Sequence, residues 1–74
     1  MRIVDAKSLG QAVRKRRKEL GYTQEQLAGF CGCSTPYLSA LENCKETAEL
    51  GRALRIVNTL GLDLHVMRRS GGEL

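Results

Sequence analysis

The sequence predicts a small, mainly all-α domain of four helices, closed by one short C-terminal β-strand. Three observations carry that expectation. Apolar residues recur at helical spacing from about residue 6 to residue 60. Capping residues and glycines cut this pattern into four pieces. After Gly61 the apolar period changes to two, which is the period of a strand. A chain of 74 residues with a single proline allows one domain and no second. The helical core spans 5–60, the strand 62–69 and the tail 70–74 of that domain, 1–74 in all.

Residues 1–4 (MRIV) read as a short extended arm. Asp5 is placed to cap the first helix, because its carboxylate can accept a first-turn N–H that has no partner inside the helix. That helix runs to about Leu20, with Leu9, Val13, Arg17 and Leu20 on one side and Gly21 as the stop. Thr23 and Gln26 form a capping box for the second helix, residues 24–31. Its inner face is Leu27, Ala28 and Cys31, and Gly32 ends it. Ser34 caps the third helix, residues 35–42, which carries Pro36 in its first turn, where a missing N–H is harmless. Leu38 and Leu41 face inward. Thr47 caps the fourth helix, which ends at Leu60. Leu50, Ala53, Leu54, Val57 and Leu60 form its apolar stripe; Ile56 lies off that stripe and calls for a second apolar surface.

In the last segment Leu62, Leu64 and Val66 alternate with Asp63, His65 and Met67. A lone strand cannot satisfy its backbone hydrogen bonds. Two partners are open to it, the MRIV arm or the same strand of a second subunit. The second also supplies the stabilisation that so small a domain needs. Ile56, Leu62, Leu64 and Val66 are therefore the expected homodimer contacts. The tail SGGEL is expected to be disordered.

Twelve Lys and Arg against eight Asp and Glu give a net charge of +4, with RKRRK at 14–18 and a second pair at Arg68 and Arg69. Clustered basic charge fits a polyanion partner, although it also fits a solvated helix face. No apolar run approaches the roughly 20 residues of a transmembrane helix. MRIVDAKSLG lacks the apolar region and cleavage site of a signal peptide, and the cysteine count of three is odd. The expectation is a cytoplasmic protein with no membrane partner. One His, no convergent carboxylates, no phosphate loop and no Ser/His/Asp set leave nothing for catalysis, so an enzyme and a cofactor are not expected.

Two short helices joined by a tight turn at Gly32 make the helix-turn-helix pattern, whose second helix enters the DNA major groove. The stretch LGQAVRKRRKELGYTQEQLAGFCGCSTPYLSALENCK resembles the XRE and phage-repressor (lambda-repressor-like) helix-turn-helix. The matching features are Arg17 six residues before Thr23, TQEQLA, the turn Gly, Ser34 and the Leu-Glu-Asn at 41–43. The remainder, KETAELGRALRIVNTLGLDLHV, is similar to antitoxins of the HipB type, in which a C-terminal strand pairs across a dimer.

The resemblance implies DNA contacts. Gln24 opens the second helix, where its N–H and amide can meet a phosphate. Ser34, Thr35, Pro36, Tyr37, Ser39 and Ala40 occupy the recognition helix and its cap. Thr35 and Ser39 can hydrogen-bond bases or phosphate, Pro36 and Ala40 can touch thymine methyls, and Tyr37 can do either. No Arg, Gln or Asn stands among these positions, so direct reading is modest and DNA shape supplements it. Asn43 and Lys45 follow in the loop that the family lays on the backbone, and Arg14, Lys15 and Lys18 add longer-range attraction. Arg17 lies on the inner side of its helix, where a charge needs a partner; the family pairs it with Glu42 in a structural ion pair.

Cys31 and Cys33 take apolar or small slots of the family pattern, and Cys44 takes one that is usually Gly, at a helix end with φ > 0. With His65 the cysteines number a Cys₃His zinc set, but their positions do not converge, and no metal is expected. Phe30 stands where the family is polar, as an interface anchor or an idle surface residue. The implied function is repression through a palindromic double-stranded operator. For the antitoxin branch it adds neutralisation of a HipA-like kinase toxin encoded in the same operon. A stand-alone repressor and a protein-binding adaptor are the alternatives.

Overall fold

The computed structural model describes residues 1–46 and 49–74. Four helices follow one another: α1 (Ala6–Glu19), α2 (Gln24–Cys31), α3 (Thr35–Glu42) and α4 (Leu50–Thr59). The first three begin on side-chain caps. Asp5 Oδ1 accepts the Ser8 N–H at 2.8 Å while Ser8 Oγ accepts the Asp5 N–H at 3.1 Å. The Ser8 bonds hold the Asp5 carboxyl below the usual carboxylate range. Thr23 and Gln26 exchange the same pair of bonds at 3.1 and 2.9 Å. Ser34 Oγ accepts the Tyr37 N–H at 3.2 Å. The expected Thr47 cap lies outside the described residues, and α4 opens after Glu49 with no side-chain cap bond.

Val13 of α1, Leu27, Ala28 and Cys31 of α2, Leu38 and Leu41 of α3, and Ile56, Val57 and Leu60 from α4 and its end form one core. Two arginines bolt α1 to the rest. Arg16 Nε donates to the Leu60 carbonyl at 3.0 Å, satisfying an acceptor left open at the end of α4. Arg17 meets Glu42 of α3, described below. Gly10 is buried where α1 crosses α3: a Cβ built there would overlap the Leu41 carbonyl oxygen.

Three expectations are corrected. Ile56 is 0% exposed and belongs to the chain's own core, so it has no surface to give a second subunit. The inward stripe of α4 is Ala53, Ile56, Val57 and Leu60, and it is Leu50, at 67% exposure, and Leu54 that face out. Both stripes share Ala53, Val57 and Leu60, and only docking on the other helices decides between them. Leu20 is likewise exposed, at the C-cap of α1.

The 62–69 strand does not form within one chain. Among the described residues the only bridge is an antiparallel one between Met67 and Glu73. Leu62 packs half-buried against the core, whereas Leu64 and Val66 are exposed. A strand needs a ladder, and one chain offers none. The tail, expected to be disordered, turns back instead: the Arg68 N–H donates to the Gly72 carbonyl at 3.1 Å through Gly71 and Gly72, both at positive φ.

Candidate nucleic-acid interface

The site is built by the α2–turn–α3 unit. Gly32 adopts φ 67°, ψ 30°, a left-handed conformation that only glycine takes without strain. The Cys33 N–H returns to the Ala28 carbonyl at 3.0 Å, so the chain leaves α2 sharply and α3 starts at once from Ser34. Leu38 and Leu41 anchor α3 in the core, which turns Pro36, Ser39, Ala40 and Asn43 to the opposite side. Pro36 and Asn43 are exposed; Thr35, Ser39 and Ala40 are half-buried. Asn43 Nδ2 donates to Ser39 Oγ at 3.3 Å, one helical turn back along that face. This surface is short, uncharged and small-featured, suited to lying close to base edges and methyl groups.

The exit loop continues the face. Cys44 sits at φ 67°, the one non-glycine residue at positive φ among the described residues. Its N–H bonds the Leu41 carbonyl at 3.2 Å, and the Lys45 N–H bonds the Ala40 carbonyl at 3.1 Å, which ends α3 tightly and presents the exposed Lys45 beside Asn43. The Cys44 thiol points to the Lys7 carbonyl at 3.6 Å. Replacing Cys44 by Gly removes the cost of a Cβ in this conformation and is expected to stabilise the domain by up to about 1 kcal/mol. Thermal melting checks it, and a loss of stability would mean that the thiol contact outweighs the strain.

Behind the face, Arg17 Nε and Nη2 donate to Glu42 Oε2 and Oε1 at 2.7 and 2.9 Å, and Nη1 donates to the Tyr22 carbonyl at 2.8 Å. Arg17 is 9% exposed and Glu42 5%. The hydrogen bond to Glu42 raises the guanidinium's proton affinity further above its ordinary value. Gln24 Nε2 also donates to Glu42 Oε1, at 3.2 Å. The side-chain amide expected at a phosphate is thus turned to the buried carboxylate and held from within.

Tyr37 departs from the expected picture. It stands at the flank of the outward face, half-buried, and its hydroxyl donates to the Glu49 carbonyl at 2.9 Å. Arg52 of α4 lies over its ring, 5.7 Å from the centroid. No local signal announces this contact, because the partners are 12 and 15 residues away in sequence.

Arg14, Lys15 and Lys18 share one exposed stripe of α1, opposite Val13 and Arg17, while Arg16 is drawn aside to α4. Phe30 is 61% exposed and packs edge-on against Tyr22, ring centroids 5.2 Å apart. Cys31, Cys33 and Cys44 carry no disulfide. Burial, with the neighbouring Cys31, pushes the Cys33 thiol up, which makes it less reactive. Among the described residues no three His, Cys, Asp or Glu side chains gather to hold a metal. None of the described helices is long and apolar enough to cross a membrane.

A short helix packed on its inner side, offered to solvent on the other and introduced by a glycine turn, defines a helix-turn-helix DNA-binding domain. The chain belongs to the helix-turn-helix family of the XRE type, whose pattern matches residues 13–66. It is a DNA-binding transcriptional regulator and not an enzyme. It is 35% identical over 66 residues to the HTH-type transcriptional regulator y4mF of Sinorhizobium fredii, spanning 89% of this chain and 87% of that protein. It is 33% identical over 66 residues to the ImmF control region 10 kDa protein of Bacillus phage phi105, spanning 89% and 73%. Among solved structures, a chain of the HipA-HipB-O2-O3 complex superposes with a TM-score of 0.83 at 25% identity, over 93% of this chain and 97% of that one. The restriction-modification controller protein C.AhdI of Aeromonas hydrophila gives 0.71 at 27% identity, over 80% and 86%.

Proposed function

We propose that the chain is the antitoxin of a HipBA-like toxin–antitoxin pair. As a homodimer it binds a palindromic operator in the major groove, represses its own operon and holds a HipA-like kinase toxin inactive. The observation that supports this reading is the superposition with a chain of the HipA-HipB-O2-O3 complex, which extends over 93% of this chain and past the helix-turn-helix unit itself. Operator contacts fall to Thr35, Pro36, Ser39 and Ala40, with Tyr37 at their edge. Gln24, Ser34, Asn43 and Lys45 lie on the phosphates. Leu64 and Val66, exposed on a segment with no ladder, are the residues that a second chain would cover. Leu62, half-buried on its own core, contributes less.

A stand-alone repressor is the second reading, favoured by the higher identity, 33–35%, to proteins whose names carry no toxin partner. Co-expression with the product of the adjacent gene separates the two. An antitoxin co-purifies with that product; a stand-alone repressor elutes alone and still binds DNA. An adaptor binds no DNA, whereas a DNA-binding dimer loses affinity with salt at a slope of about −0.9 per phosphate neutralised. Thr35→Ala is expected to weaken the operator selectively, by about 1–3 kcal/mol, and Lys45→Ala to weaken all duplexes alike. Equal losses on operator and unrelated DNA for Thr35→Ala would remove it from the reading face.

A further inference from the structure

The geometry points to Arg52 as a DNA phosphate contact on the flank of α3, held in place by Tyr37 and Glu49. This deepens the DNA-binding reading and rests on it, and it adds a residue from α4 to a site otherwise built from α2, α3 and the exit loop.

Tyr37 follows Pro36 in α3 and precedes Ala40 by one turn, so its ring marks the border between the outward face and α4. Its hydroxyl donates to the Glu49 carbonyl at 2.9 Å and fixes the residue that opens α4. From the first turn of α4, Arg52 lays its guanidinium against the ring, 5.7 Å from the centroid, with Nε 2.7 Å from Glu49 Oε2. The side chain remains 45% exposed. A helix seated in the major groove has a sugar–phosphate backbone along each side, and a guanidinium just beyond the border of the reading face lies on the course of one of them. The planar fork of Arg matches phosphate oxygens and stacks on aromatic rings at the same time. A long side chain already confined by a ring and a carboxylate loses less conformational freedom when DNA arrives.

Glu49 acts in both directions. It orients Arg52, and it also offsets the charge of Arg52 and sets a carboxylate near the approaching phosphates. Removing its charge should therefore strengthen DNA binding.

The test is fluorescence anisotropy on a mixed-sequence DNA duplex of about three helical turns, over a series of salt concentrations. Arg52→Gln should weaken binding and reduce the slope of log K against log salt by about 0.9 for each bound chain. Arg52→Lys should keep the slope, and Glu49→Gln should bind more tightly than the wild type. Melting temperatures of the three variants should stay close to the wild type, because both side chains are about half exposed. Wild-type binding combined with an unchanged slope in Arg52→Gln overturns this inference alone. A wild-type chain that shows no salt-dependent binding overturns the DNA-binding reading along with it.

Discussion

Glu42→Ala is expected to lower stability by about 3–5 kcal/mol, the cost of leaving a buried charge without its partner. Arg17 would keep its bond to the Tyr22 carbonyl but lose both bonds to the carboxylate, in a position 9% exposed. Gln24 would lose its acceptor in the same step. Domains of this size gain about 4–8 °C in melting temperature per kcal/mol, so the loss consumes a large part of a total near 5–15 kcal/mol. The effect belongs to the orphaned charge and not to the absence of an ion pair. Replacing both partners together, Arg17→Met with Glu42→Leu, should therefore recover most of it. An unchanged melting temperature in Glu42→Ala would show that the pair is not holding α1 to α3.

Gly10→Ala and Gly29→Ala are expected to change stability in opposite directions. Both glycines lie inside helices, where alanine is favoured by about 0.5–1 kcal/mol. At Gly29, exposed on α2, an added methyl meets no other part of the fold within 4 Å, and the gain should appear in full. At Gly10 the methyl overlaps the Leu41 carbonyl oxygen and comes within 3.3 Å of the carbonyl carbon. That carbonyl also accepts the Cys44 N–H, so it cannot swing aside without opening the turn that ends α3. Overpacking of this kind costs about 1–3 kcal/mol and outweighs the propensity gain. The displaced turn carries Lys45, so Gly10→Ala should weaken DNA binding as well as lower the melting temperature. Equal gains at the two sites would mean that α1 and α3 do not approach as closely as described.

The features legible in the sequence are those decided within a few residues. Asp5, Thr23 and Ser34 cap the helices they precede, and Gly21, Gly32 and Gly61 take the left-handed conformation that stops a helix. The conformation of Cys44 was legible too, through the glycine that the family carries there. The features that escaped depend on docking. Gly10 reads as an ordinary small residue until α3 lies across it. Arg16 is one of five consecutive basic residues, and only the position of Leu60 takes it out of that cluster. Ile56 and Leu50 exchange sides because two overlapping apolar stripes fit the same helix. Tyr37 is legible as a residue of the reading helix, but its hydroxyl bond to Glu49 depends on where α4 begins.

The most direct measurement of the central claim, that the outward face of α3 reads a specific DNA sequence, is a titration of the wild-type chain against two duplexes. One carries the DNA upstream of its own gene and the other is an unrelated sequence of equal length. Binding to the first is expected to be about 10³-fold tighter or more at physiological salt, with a steep loss of affinity for both as salt rises. Equal affinity for the two duplexes, or no binding to either, would contradict the account.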